Sequence, residues 1–342
     1  MLLANKEQLL PLNFSKAMRL AVVGDADTVK GGGSGSVWSG YIITPAQGIL
    51  NRASRQTSSG PSPASGLEPL VSCQRAGVLE ICNVSIASTS CGMGQCNETQ
   101  DTPVVTAADI ENAVSIAKQS DVTVVSVATT STEGFDRFDL SVGAMQDRLV
   151  TAVAAVCQNV IVVIRSPGAV STPWAILPSV KSIVLQLLPG QEAGNALASV
   201  LAGDISPSGK LPVTFPHNLS ETWLQTTAQY PGLGKGASNE TWEGMPMAPD
   251  NETQTCGGVF AWDNATVGGC QWVTTYTEGL EIGYRWYDAK DLEPAFPFGH
   301  GLACKLHPCT AELLSELPVS SSFFCSKNFA HCKQTRLGPT PV

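Results

Sequence analysis

At 342 residues, 43% of them hydrophobic, the chain can bury a substantial core and hold one large domain or two ordinary ones. Its formal charge of −9 opposes nucleic acid or an anionic membrane as partner, since both require a basic footprint, and suits a neutral ligand such as a sugar. The most apolar region, 149–164, is broken by Thr151, Gln158 and Asn159 and is too short to span a bilayer, so no transmembrane helix is expected.

The first residues, Met1-Leu-Leu-Ala-Asn-Lys-Glu7, carry charges at Lys6 and Glu7 and no apolar run of signal-peptide length, so no export signal is expected within the sequence. Other features point outward. Glycosylation sequons stand at Asn13, Asn83, Asn97, Asn218, Asn239, Asn251 and Asn264, and the chain has 11 cysteines, which together suit a full-length parent that is secreted.

Residues 20–24 read as the first buried strand, followed by the glycine turn Gly31-Gly-Gly-Ser-Gly35. A loop of this kind after a strand invites a phosphate-binding reading. The spacing fails it, because Trp38 follows Ser36-Val37 and no Gly-Lys-Ser/Thr ending is present, which also disfavours a flavodoxin-like nucleotide binder. From 54 to 102 the sequence is rich in Ser, Gly, Pro and Thr with little periodicity, and reads as an insertion or surface excursion. Its Cys73, Cys82, Cys91 and Cys96 have no close Cys-x-x-Cys pair for zinc, so disulfides are the preferred reading, with the pairing left open.

Thr106 with Asp109 predicts a capped helix whose Ile110, Ala113, Val114 and Ala117 share a face. A strand over 122–128 comes next, and Met145, Leu149, Val153 and Val156 mark a second helix. Strands are expected over 160–164 and 183–188, and a helix over 192–202 stopped at Gly203. Strands without polar alternation, separated by helices, predict an α/β fold with a mostly parallel sheet covered on both faces.

After the turn-rich run 203–216, residues 217–272 read as a second loop insertion with a Cys256–Cys270 pair that could close it. Its Trp223, Trp242, Trp262 and Trp272 are packing residues before they are sugar platforms, and Glu243 and Asp263 match no catalytic pattern. Residues 303–342 read as a divergent tail, disordered or disulfide-tied, because Cys304, Cys309, Cys325, His331 and Cys332 fit no common zinc module.

The stretch best placed for chemistry is the exit of the 122–128 strand, Ser126-Val-Ala-Thr-Thr-Ser-Thr-Glu133-Gly-Phe-Asp136-Arg137. In an open α/β sheet the crevice beyond the carboxyl ends of the strands is where ligands bind. Asp136 and Arg137 can neutralise one another, leaving Glu133 without a private cation to hold its pKa down, as a general acid requires. The plain alternative is a solvated loop with a local ion pair.

The blocks Glu133-Gly-Phe-Asp-Arg137, Ser166-Pro-Gly-Ala-Val170 with Pro173-Trp174, Leu188-Pro-Gly-Gln-Glu192 with Gly194-Asn-Ala-Leu197, and Gly203-Asp-Ile-Ser-Pro-Ser-Gly-Lys-Leu-Pro212 stand in one order. With Ala21-Val-Val-Gly24, Tyr276-Thr-Glu-Gly-Leu280, Gly283-Tyr-Arg-Trp-Tyr-Asp288 and Phe296-Pro-Phe-Gly-His-Gly-Leu302, that order resembles the second domain of family 3 glycoside hydrolases, most closely their β-glucosidases. The resemblance implies a six-stranded α/β sandwich over 19–302, with 1–18 as the linker from an N-terminal barrel. It implies Glu133 as acid/base of a retaining mechanism, Gly134 letting the loop turn, and Asp136 with Arg137 bracing it. No cofactor or metal is implied. The substrate would be a β-linked glucoside or oligosaccharide. The aspartate nucleophile and a sugar-gripping Lys-His pair belong to the barrel of the relatives, and neither motif is found in the sequence, so a barrel acting in trans is one expectation. A non-catalytic carbohydrate-binding or interaction module is the rival.

Overall fold

The computed structural model describes residues 1–31, 39–54, 72–76, 78–86, 105–131, 140–223, 233–235, 271–273 and 277–303. Its strands are β1 (Leu2–Asn5), β2 (Met18–Asp25), β3 (Ser72–Ala76), β4 (Leu79–Ile86), β5 (Val122–Ala128), β6 (Val160–Arg165), β7 (Val180–Leu185), β8 (Leu233–Lys235) and β9 (Gln271–Val273). Its α-helices are α1 (Pro45–Ser54), α2 (Ala107–Ala117), α3 (Ala144–Ala154), α4 (Ala193–Leu201) and α5 (Tyr284–Lys290).

One 7-stranded sheet runs in the order β1-β7-β6-β5-β2-β4-β3. The neighbours from β7 to β4 pair parallel, while β1 on β7 and β3 on β4 are antiparallel edges. The sheet is therefore mixed and has one strand more than the six expected. β8 and β9 form a separate 2-stranded antiparallel ribbon within the second expected insertion.

Alternation along the strands builds two cores. Ala21 and Val23 of β2 with Val125 and Val127 of β5 face α2 and α3, joining Ile110, Ala113, Leu149 and Val153. Leu20 and Val22 with Val122 and Val124 face the other way, joining Ile49 and Ala53 of α1 and Leu197 and Leu201 of α4. Covering both faces is what an apolar parallel strand requires. α2 starts with the expected capping box, Thr106 accepting from the Asp109 amide while the Asp109 carboxylate accepts from the Thr106 amide.

The extra sheet pairing comes from segments that read otherwise in sequence. Residues 72–86, inside the expected 54–102 excursion, hold β3 and β4, and β4 pairs in register with the whole of β2. Leu79 and Ile81 point into one core and Cys82, Val84 and Ile86 into the other, so β4 has no solvent face to announce it. Residues 1–18, expected as a linker, carry β1 and bury Leu2, Leu3, Leu10, Leu12 and Phe14. The 296–302 block closes on the same edge, with the Leu302 amide donating to the Leu2 carbonyl (2.8 Å) and His300 Nε2 within 2.7 Å of the Leu3 carbonyl.

Cys73 and Cys82, opposite one another on β3 and β4, form a disulfide, whereas Cys157 is free and buried. Cys91, Cys96, the Cys256–Cys270 pair and the 303–342 tail beyond Ala303 lie outside the described residues. Asn83 is only 8% exposed within β4, so its sequon is sealed in the folded sheet, while Asn13 and Asn218 stand on the surface. Among the described residues no helix is long and apolar enough to cross a membrane.

Candidate functional site at the carboxyl ends of the strands

Glu133, Gly134, Asp136 and Arg137 lie outside the described residues, in the interval 132–139. The frame on either side of that interval is described. β5 lies between β6 and β2, so the segment that carries Glu133 leaves the sheet at its centre.

β2 stops pairing with β5 at Gly24 opposite Ser126. Gly24 has φ +98°, and a Cβ there would sit 2.1 Å from the Ser126 carbonyl oxygen, so a glycine is what lets β2 turn away at this point. On the other side, β6 continues to Arg165 opposite Ala128, and the Thr129 amide donates to the Arg165 carbonyl (2.9 Å). The chain leaving β2 then passes close by, since a Cβ on Gly31 would lie 3.1 Å from the Ser131 carbonyl.

Asp25, at the end of β2, and Arg165, at the end of β6, form an ion pair across the exit of β5. Arg165 Nη1 donates to Asp25 Oδ2 at 2.9 Å, and both side chains are 0% exposed. The other carboxylate oxygen accepts from the Thr28 hydroxyl (2.7 Å) and amide (3.3 Å). Arg165 Nε reaches Gln186 Oε1 (3.3 Å), and Gln186 Nε2 in turn donates to the Ala193 carbonyl (3.0 Å). Burial pushes the Asp25 carboxyl above the ordinary carboxylate range, with Arg165 and Thr28 pulling against it. The same burial pulls Arg165 down, opposed by Asp25.

The returning end of the segment is equally fixed. The Leu140 carbonyl accepts from the Ser171 amide (2.7 Å) and hydroxyl (3.2 Å), and Ser141 Oγ accepts from the Gly143 amide (2.8 Å). Gln146, in the first turn of α3, accepts from the Ala128 amide at 2.8 Å and donates to the Ala128 carbonyl at 2.7 Å and to the Val142 carbonyl. Trp174 Nε1 holds the same turn through Asp147 Oδ1 (2.9 Å).

The rim is therefore a set of buried polar groups at the carboxyl ends of β2, β5 and β6 that fixes the chain on either side of the interval 132–139. Sequence reasoning finds the strand exit but not Asp25, Arg165 or Gln146. Their signal is a charge or amide at the end or on the buried face of an otherwise apolar element. Of the tryptophans, Trp223 is half-buried, whereas Trp242, Trp262, Glu243 and Asp263 lie outside the described residues. Among the described residues no group of His, Cys, Asp and Glu is arranged to hold a metal ion.

The sequence model of the Glycosyl hydrolase family 3 C-terminal domain matches residues 1–303. Thermostable beta-glucosidase B of Acetivibrio thermocellus is 36% identical over 197 residues, which cover 57% of this chain and 21% of that protein. Beta-glucosidase B of Emericella nidulans is 37% identical over 202 residues, covering 57% of this chain and 20% of the relative. The chain thus spans about a fifth of the length of these relatives. Among solved structures, the β-glucosidase DesR of Streptomyces venezuelae, in complex with D-glucose, aligns with a TM-score of 0.59 and 24% identity over 88% of this chain and 43% of its own. The family 3 β-glucosidase of Bifidobacterium adolescentis aligns with a TM-score of 0.57 and 24% identity, over 88% of this chain and 34% of its own. At that identity the structures show the fold. The match across nearly all the described residues shows the family: this chain belongs to glycosyl hydrolase family 3, as its C-terminal domain.

Proposed function

We propose that this chain supplies the acid/base half of a retaining, β-glucosidase-type glycoside hydrolase, with Glu133 as the acid/base and a barrel domain, in the same polypeptide or in trans, as the source of the nucleophile. The observation that supports this reading is where β5 ends: the central strand of the sheet runs out at Ala128, at the carboxyl end where α/β sheets bind ligands, and the Glu-Gly-x-Asp-Arg block follows it in the sequence of a family 3 domain.

A retaining mechanism needs two carboxyl groups roughly 5 Å apart, one attacking the anomeric carbon and one protonating the leaving oxygen, then activating water. Glu133 fills the second role. Gly134 leaves the crevice clear of a side chain, and Asp136 with Arg137 braces the turn. The substrate class is a β-linked glucoside or oligosaccharide, supported by the β-glucosidase names of the relatives. The Cys73–Cys82 disulfide and the exposed sequons at Asn13 and Asn218 support an oxidising, extracellular location for the full-length protein.

The test joins the full chain to a family 3 barrel and compares it with Glu133→Gln. Loss of the proton donor should lower kcat on poor-leaving-group β-glucosides by roughly 10²- to 10⁴-fold. Aryl glucosides with good leaving groups should stall at deglycosylation and be rescued by azide. Unchanged kinetics in Glu133→Gln would remove it from the mechanism, and sugar binding without turnover by the assembled wild type would favour a binding module.

A further inference from the structure

We infer that Gln146 is a positioning residue for Glu133, fastening together Ala128 and Val142 on either side of it in the sequence. The inference rests on the acid/base reading of Glu133 and adds a residue to it.

Gln146 is 2% exposed and shares the buried face of α3 with Leu149, Val150 and Val153. An amide in such a stripe is costly unless its polar atoms are answered. They are answered by backbone alone. Ala128 is the last residue of β5, and Thr129 already turns its amide to β6. On the β2 side the ladder has ended at Gly24 opposite Ser126, so the amide and carbonyl of Ala128 have no strand left to meet. The Gln146 side chain takes that place, accepting from one and donating to the other as a neighbouring strand would. Its second N–H goes to the carbonyl of Val142, where the chain re-enters the core just before α3.

One planar amide therefore ties residue 128 to residue 142, on either side of the stretch of sequence that contains Glu133. A proton donor works only when held near its productive position, and a displacement of about 1 Å can cost roughly 10²-fold in rate. Neither hydrogen bond partner of Gln146 is itself part of a catalytic group, so its role is geometric.

The experiment uses two variants in the full chain joined to a family 3 barrel. Gln146→Leu keeps the shape and loses every hydrogen bond. Gln146→Glu keeps the acceptor for the Ala128 amide and regains a donor only when its buried carboxyl is protonated, which burial favours. Expected for Gln146→Leu is a kcat about 10²-fold lower on an alkyl β-glucoside with little change in KM. The first chemical step on 2,4-dinitrophenyl β-glucoside, which needs no proton donor, should change far less. For Gln146→Glu, the kcat ratio to wild type should rise as pH falls, a comparison that cancels the titration of Glu133. Amide exchange at Ala128 in the full chain should accelerate in Gln146→Leu while β5 residues before Ser126 stay protected. If Gln146→Leu does not fold, the pH-dependent ratio in Gln146→Glu decides alone. Unchanged kcat, or an equal loss on both substrates at every pH, overturns the inference. If Glu133→Gln is inactive while Gln146→Leu is fully active, only this inference falls. If Glu133→Gln is fully active, both readings fall.

Discussion

The two ends of the parallel sheet solve the same problem with different physics. At the amino ends, Arg19 donates to Gln119 (2.9 Å) and lies 3.7 Å from Glu80, with its side chain still 31% exposed, and the Arg19 amide donates to Asp121 (2.8 Å) at the surface. At the carboxyl ends, Asp25, Arg165 and Gln146 are sealed from water and bound to one another's strands or to backbone. Water can replace a lost partner at the first end. At the second nothing can, so the geometry of the rim is held by groups that cannot relax without large cost. β5 runs out at that stiff end, at Ala128, and the proposed acid/base follows it in the sequence.

The largest effect expected is from breaking the buried pair. Asp25→Ala leaves a buried guanidinium without its paired carboxylate, facing only the longer-range field of Asp27, and should destabilise the full chain by about 3–5 kcal/mol in urea unfolding. Burial already pushes Asp25 up and Arg165 down, so the intact pair itself adds little net stability. The double change Asp25→Leu with Arg165→Met should therefore recover most of the loss. A double variant no more stable than Asp25→Ala would show that the pair contributes more than mutual neutralisation.

The matching change at the other end sets the scale. Arg19→Ala removes a partly exposed ion pair, a side-chain hydrogen bond to Gln119 and a long one to Cys82 Sγ, and should cost no more than about 1 kcal/mol. Its effect should shrink further in high salt, whereas the effect of Asp25→Ala should not. Equal costs at the two ends would break the comparison.

What the sequence revealed and what it hid follow the same division between local and distant causes. The α2 cap is four consecutive residues, Thr106 to Asp109, and β5 and β6 are valine-rich, largely apolar runs, so each can be read from its own letters. β4 is not, because both its faces are covered and its neighbours in sequence are Ser-, Gly- and Pro-rich. β1 is short, and its leucines gain meaning only from β7, which lies far along the chain. Asp25 and Arg165 are 140 residues apart, so no window contains the pair. The face of α3 read from Met145, Leu149 and Val153 is close to the buried one, but the true face takes in Gln146 and Val150 and leaves Met145 at its margin. A polar residue weakens an apolar stripe in a periodicity count, which is how the most informative side chain of the rim escaped it.

Tyr287 carries the comparison to a buried polar atom with no partner at all. It lies on α5 at 4% exposure, and its hydroxyl meets no hydrogen-bond partner among the described residues. Burial, and then the nearby Glu221 carboxylate, push its phenol up to about 12. Tyr287→Phe deletes an unanswered group without leaving a cavity larger than one oxygen, so stability at neutral pH should be unchanged or raised by about 1 kcal/mol. The pH dependence has a definite sign. Between the ordinary phenol value of about 10 and the raised one, the folded state keeps a proton that the unfolded state gives up, so wild-type stability falls as pH rises through that window. The phenylalanine variant lacks that slope, and its advantage over wild type should widen from pH 10 upward in thermal unfolding. A variant that is instead less stable at neutral pH would mean that the hydroxyl has found a partner.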